Sequence, residues 1–174
     1  APLDFDVSVK DIYTSIKTGA TLELIPKQYF SFPTKLLDFL EERQVTTLIW
    51  AVSALCIITT LKGFDYKIPG NVNKVLFSGE VMPVGHLNQW QRALPDAMYV
   101  NLYGPTEITC NCTYYKVERE FEPGEHLPIG QPFPNETVML LEDNDQMITE
   151  PFEKGELCVA GTALALGYYG NPDQ

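Results

Sequence analysis

The spacing of apolar residues between positions 8 and 102 constrains this chain most, because it switches repeatedly between the helical and the extended period. From Ser8, the positions Val9, Ile12, Tyr13 and Ile16 fall on one helical face. Asp11 stands three residues after Ser8 and Gly19 follows the last turn, which predicts a capped amphipathic helix. Thr21 to Ile25 reads as a strand stopped by Pro26, and Ser31 opens a helix through Leu36, Leu37 and Leu40 to about Arg43. A strand at Thr46 to Ala51, a helix from about Ser53 to Leu61 and a loop with Gly63, Pro69 and Gly70 follow. Then come a strand at Lys74 to Phe77, a helix from about Pro83 to Ala93 and a strand at Met98 to Leu102. Strands joined by helices favour parallel pairing with right-handed crossovers.

After Glu107 the pattern changes. Cys110 to Val117 reads as a strand that would put Cys110 and Cys112 on one face, and Glu118 to Glu125, with Pro123-Gly124, reads as a linker. Thr137 to Leu141 and Glu156 to Ala160 are apolar runs separated by the turn-forming cluster Glu142 to Asp145. The expected fold is α/β: a three-layer subdomain with a parallel sheet over residues 1–117, then a small β-rich, barrel-like and truncated segment over 118–174.

With 12 Lys+Arg against 23 Asp+Glu the formal charge is −11, which argues against non-specific nucleic-acid or anionic-membrane binding. The 18 uncharged residues between Arg43 and Lys62 include Gln44, Ser53 and four threonines, so they fit a buried strand and helix better than a bilayer span. Ala1 to Lys10 holds no basic region followed by an apolar run, and four cysteines are too few for a disulfide scaffold. The expectation is a cytoplasmic protein with reduced thiols. His86 and His126 are isolated in sequence, so packed cysteines are expected in preference to zinc ligands.

In open parallel sheets, ligands sit beyond the carboxyl ends of strands, in the crevice where strand order reverses. Two loops qualify: Ser78-Gly79-Glu80 after one apolar strand, and Tyr103-Gly104-Pro105-Thr106-Glu107 after another. Between Asn101 and Glu107 an amide, an aromatic ring, a hydroxyl and a carboxylate are gathered, which suit a base edge, a base face, a phosphate oxygen and Mg²⁺ respectively. A Gly-Pro turn with a capping Thr accounts for the same spacing equally well.

Asn101 to Glu107, NLYGPTE, resembles the YGPTE signature of adenylate-forming enzymes, in particular the adenylation domains of nonribosomal peptide synthetases and the related D-alanine–carrier protein ligases. Other segments match in the same order. Phe5 to Lys10 (FDVSVK) is similar to the FDxSV motif, Phe77 to Pro83 (FSGEVMP) to the adenine-side loop, and Gly155 to Pro172 (GELCVAGTALALGYYGNP) to GELxxxGxxxxxGY. The phosphate loop ending in Lys, the ribose-binding Asp motif and the C-terminal Lys motif have no counterpart. The resemblance therefore implies an internal piece of a larger adenylation domain that is inactive alone.

The resemblance implies ATP and Mg²⁺ as cofactors, an amino acid as substrate and a phosphopantetheinyl carrier protein as partner, with no nucleic acid and no membrane. By position it implies adenine contacts from Gly79, Glu80 and Asn101, a stacking ring at Tyr103 with Gly104 beside it, an α-phosphate contact at Thr106 and the Mg²⁺ ligand at Glu107. Thr106 and Glu107 would be the catalytic pair. Asp6, Val7, Lys10, Trp50, Leu76, Ser78, Leu102, Cys110 and Asn111 would surround the amino acid, with Asp6 holding its α-ammonium and Trp50, Leu76 and Leu102 as apolar walls. Lys10 departs from the apolar or aromatic residue usual there. It either meets an acidic or amide-bearing substrate or lies on the solvent side of its helix. The competing function is a non-catalytic α/β module that binds a nucleotide or a protein.

Overall fold

Four apolar segments with extended periodicity build the main sheet. In a computed structural model that describes residue 3 and residues 5–171, β1 (Thr47–Ala51), β2 (Lys74–Ser78) and β3 (Met98–Tyr103) run parallel. β4 (Thr113–Val117) and β5 (Gln131–Pro132) extend the sheet antiparallel, in the order β1-β2-β3-β4-β5. Strand order therefore never reverses among the described strands. What changes, at the β3–β4 junction, is strand direction. Pro172, the last residue of the GELCVAG…NP match, lies outside the described residues, as do Ala1, Pro2 and Asp4 of the amino-terminal stretch.

Each parallel crossover carries a helix, α3 (Val52–Thr60) after β1 and α5 (Val84–Ala93) after β2, and the two touch each other. With α2 (Pro33–Glu42) and the short α4 (Gly63–Tyr66) they bury Leu48, Val75, Phe77 and Tyr99 of the sheet against Leu37, Leu55, Ile58, Leu87 and Trp90. Trp90 is the largest buried side chain. Its ring meets Phe64 edge-on at 4.8 Å and its Nε1–H donates to Leu55 O at 3.1 Å. Tyr99 reaches across from β3 to donate to Trp90 O at 2.7 Å, a buried bond that contributes about 1 kcal/mol net. The 18-residue uncharged stretch is thus the end of α2's turn, β1 and α3, and none of the described helices is long and apolar enough to cross a membrane.

α1 (Ser8–Thr18) approaches the sheet's opposite face, which completes the three layers. Its start differs from expectation: Val7 occupies the cap position, and the Ser8 hydroxyl donates to Leu3 O at 3.1 Å instead of capping. Tyr13 and Ile16 stay exposed, so only part of its apolar face is covered. The strand expected over Thr21 to Ile25 does not form, because no neighbouring strand among the described residues supplies a ladder. The helix expected from Ser31 starts at Pro33, whose missing N–H costs nothing at a first helical position.

The linker expected at Glu118 to Glu125 is docked. Phe121 is 4% exposed, its backbone pairs with the Asn88 side chain at 2.8 and 3.3 Å, and the Arg119 guanidinium lies 4.0 Å from its ring centroid. The Arg119 guanidinium and the Glu122 N–H together hold the Glu125 carboxyl down to about 2. A separate antiparallel pair, β6 (Glu136–Leu141) with β7 (Glu156–Gly161), forms the small β unit. Since β5 closes the first sheet, we propose that the two units divide after Pro132 and not at residue 118.

Candidate functional site

β1, β2 and β3 end at one edge, and the residues singled out from the sequence gather there. Side-chain alternation sorts them onto two faces. Register aligns Trp50 with Phe77 and Asn101, so these point toward the helical core, whereas Leu76, Ser78, Val100 and Leu102 point to the opposite face. Trp50 is accordingly a core residue, 7% exposed and edge-on to Phe30 at 5.3 Å. Its register separates it from Leu76 and Leu102, the other two expected pocket walls.

On the second face Lys10 points inward. Its ammonium donates to Asn111 Oδ1 at 2.6 Å and to Ser78 Oγ at 3.3 Å, and the Cys110 thiol stands beside it. Desolvation pulls Lys10 below its usual range, while Cys110, Asp11 and Asp6 act in the opposite sense. Asp6, one turn earlier in the chain, keeps Oδ1 buried with no hydrogen-bond partner. Val7 beside it is buried, as is Leu102. The structure thus brings together Asp6, Lys10, Ser78, Cys110 and Asn111, with Leu76 and Leu102 on the same side of the sheet.

Cys110 lies before the strand expected to contain it. Thr109 at φ 51° and Cys110 at φ 86° are both left-handed, a conformation that costs roughly 1–3 kcal/mol for residues with a side chain, so β4 starts only at Thr113. This kink turns Asn111 back toward Lys10. Burial pushes the thiols of Cys110 and Cys112 up, and the two do not share a strand face.

On the first face, Asn101 donates its Nδ2–H to Pro128 O at 2.9 Å, and Tyr103, two residues on, is 39% exposed. Gly79, at φ 91°, turns the chain directly after β2, where any side chain would be strained. Gly104 is required for a different reason: a Cβ there would lie 2.5 Å from Asn111 Cα and 2.7 Å from Cys112 N. The Tyr103–Glu107 loop therefore lies flat on the backbone that presents Asn111. Glu80 and Thr106 are exposed.

Glu107 is exposed on a 3-10 turn, Thr106–Ile108. The Tyr168 hydroxyl donates to its Oε1 at 2.7 Å, and this bond, with a backbone bond of Glu107 itself, holds the carboxyl below its usual range. The Gly161–Tyr168 stretch is tied to the same loop twice more: Ala165 N–H donates to Glu107 O at 2.7 Å, and the Thr109 hydroxyl donates to Ala163 O at 2.6 Å. Glu136, 7% exposed, holds that stretch from behind, its Oε1 accepting from Ala163 N at 3.3 Å. Sequence reading missed Glu136 and Tyr168; the only signal was the Gly-Tyr that closes the GELxxxGxxxxxGY pattern. Tyr168→Phe should move the Glu107 carboxyl titration upward toward the ordinary carboxylate range, because the lost donor favoured the ionised form. Carboxyl-carbon NMR titration checks this, and an unmoved midpoint would show that the bond is not made in solution.

An ionised, exposed carboxylate meets what Mg²⁺ asks of a protein, namely one or two hard oxygens with the remaining ligands from water and phosphate. A hollow of about 430 Å³ between α3 and the Glu80–Pro83 loop is lined by Val52, Cys56, Ile57, Leu61 and Val81. Of the expected site residues only Glu80 reaches it, and Ser53 and Thr60 supply its other polar side chains.

Comparison with known proteins agrees with this geometry. Residues 1–169 match the family model described as AMP-binding enzyme. Tyrocidine synthase 3 of Brevibacillus parabrevis is 35% identical over 172 residues, covering 98% of this chain and 2% of that protein. A D-alanine--D-alanyl carrier protein ligase of Bacillus velezensis is 30% identical over 173 residues, covering 99% of this chain and 34% of that protein. Among solved structures, IdnL1 superposes with a TM-score of 0.90 at 31% identity, over 99% of this chain and 36% of that one. PA1221, described as a nonribosomal peptide synthetase protein containing adenylation and PCP domains, gives a TM-score of 0.79 at 28% identity, over 97% of this chain and 33% of that one. The chain thus spans about a third of the ligase's length and far less of the synthase's. On motif order, fold and the matched model together, it belongs to the AMP-binding enzyme family.

Proposed function

We propose that the complete protein carrying this chain activates an α-amino acid with ATP and passes it to a carrier-protein thiol. The substrate carboxylate attacks the α-phosphorus, the bond to the bridging oxygen of pyrophosphate breaks, and aminoacyl-AMP forms. A phosphopantetheine thiolate then displaces AMP to give the thioester. The observation that carries this reading is the pairing, at one sheet edge, of an ionised Glu107 beside Asn101 and Tyr103 with a half-buried Asp6 on the other face whose Oδ1 is buried and unpaired.

In this reading Asp6 receives the α-ammonium, and Asn101, Gly79 and Glu80 line the adenine. Tyr103 stacks on the base over the flat turn at Gly104, Thr106 bonds the α-phosphate, and Glu107 holds Mg²⁺. Bound Mg²⁺ neutralises phosphate charge, and the protein's share is positioning and fixed dipoles, which dominate phosphoryl-centre chemistry. The carrier partner is supported by the relatives' names. Four free cysteines suit a reducing cytoplasm. Because the chain spans about a third of the ligase it resembles, the reaction is assigned to the complete protein, and these residues alone are expected not to form the adenylate.

ATP–pyrophosphate exchange by the full-length protein tests the reading. Exchange that depends on an added amino acid supports it. Nucleotide binding without exchange for any amino acid supports the non-catalytic module instead.

A further inference from the structure

Resting on that reading, we propose that the side-chain pocket selects an α-amino acid whose side chain ends in a carboxylate, with Lys10 as its counter-ion. The inference starts from what surrounds the Lys10 ammonium. Its partners are an amide oxygen at 2.6 Å, a hydroxyl at 3.3 Å and a thiol, all neutral, and two of the three residues that supply them, Ser78 and Cys110, are each 3% exposed. Among the described residues no carboxylate lies within 4 Å of it. A desolvated cation held by neutral dipoles alone is costly unless an opposite charge joins it.

In the free protein Asp11 and Asp6 are close enough to offset part of that charge. Asp6 stands just before the Val7 cap, its backbone carbonyl accepting from Val9 N–H at 3.0 Å, which keeps it within about a turn of Lys10. Once the α-ammonium of a substrate takes the Asp6 carboxylate, that share of the offset is used up, and Asp11, more than 4 Å away, is left as the carboxylate acting on Lys10. A neutral substrate side chain leaves it so, and a basic one adds a like charge. A side-chain carboxylate one to two methylenes from the α-carbon spans the separation and restores neutrality, two charges meeting two charges. Ser78 and Asn111 orient the ammonium, and Leu76 and Leu102 on the same face line the methylenes.

The test is ATP–pyrophosphate exchange by the full-length protein with aspartate, glutamate, asparagine, glutamine, alanine, leucine and lysine. The expected result is that aspartate or glutamate gives the highest kcat/KM, at least tenfold above its own amide. A neutral or basic amino acid as best substrate would overturn the inference while leaving amino-acid activation standing; exchange with none of them would overturn both. Lys10→Met should erase the preference of acid over amide, and Lys10→Arg should keep it. Acid preference retained in Lys10→Met would refute the role of Lys10. Should Lys10→Met fail to fold by circular dichroism, the wild-type panel and the Arg variant still decide.

Discussion

Glu107→Gln in the complete protein is expected to lower ATP–pyrophosphate exchange by roughly 10²–10³-fold, the scale seen when one preorganised electrostatic contact to a reacting centre is lost. The melting temperature should hardly move. The side chain is exposed, and the glutamine carbonyl can still accept the Tyr168 hydroxyl that Glu107 Oε1 accepts at 2.7 Å, so the fold loses little. Raising Mg²⁺ should recover part of the lost rate if the carboxylate holds the metal. A variant that exchanges at the wild-type rate, or one whose melting temperature collapses, would remove Glu107 from the chemistry.

Asp6→Asn is expected to act through substrate binding. Breaking a buried ion pair by removing one partner costs roughly 3–5 kcal/mol, and about 1.4 kcal/mol corresponds to a factor of ten, so kcat/KM for the amino acid should fall by some 10²–10⁴-fold. KM for ATP should stay within about twofold, because Asp6 lies on the face of the sheet away from Asn101. Folding should change little, since Asp6 Oδ1 has no hydrogen-bond partner to lose and Asp11 still offsets part of the Lys10 charge. An unchanged amino-acid KM would show that the α-ammonium is held elsewhere.

The loops after β2 and β3 were legible in the sequence because each apolar run ends abruptly in small polar residues, a local signal. Parity was not. That Trp50 and Leu76 point to opposite faces follows only from the register Trp50↔Phe77, which no residue of β1 encodes by itself. The stretch from Thr21 to Ile25 has the alternation of a strand but no ladder among the described residues, and β5, two residues long, is too short to show a period. The Cys110 kink was invisible for a different reason: the contacts around it, Asn111 bonded to Lys10 and Gly104 lying against Asn111 and Cys112, are made through space. Lys10 itself has two open readings from its helical position, and the hydrogen bond to Asn111, 101 residues away, removes the solvent-facing one. Tyr168, 61 residues from Glu107, was hidden by the same kind of distance.

The strap formed by residues 161–168 bears on how such a protein can be cut and recombined. It leaves the small β unit and returns to the Thr106–Thr109 turn, so the Glu107 carboxylate is shaped by residues from both units. A specificity transplant that exchanges only the α/β portion, with its junction anywhere between Pro132 and Gly161, would seat a foreign strap on a native loop. The interchangeable part is therefore a discontinuous one: residues 1–132 together with the strap, with the β6–β7 hairpin left as scaffold.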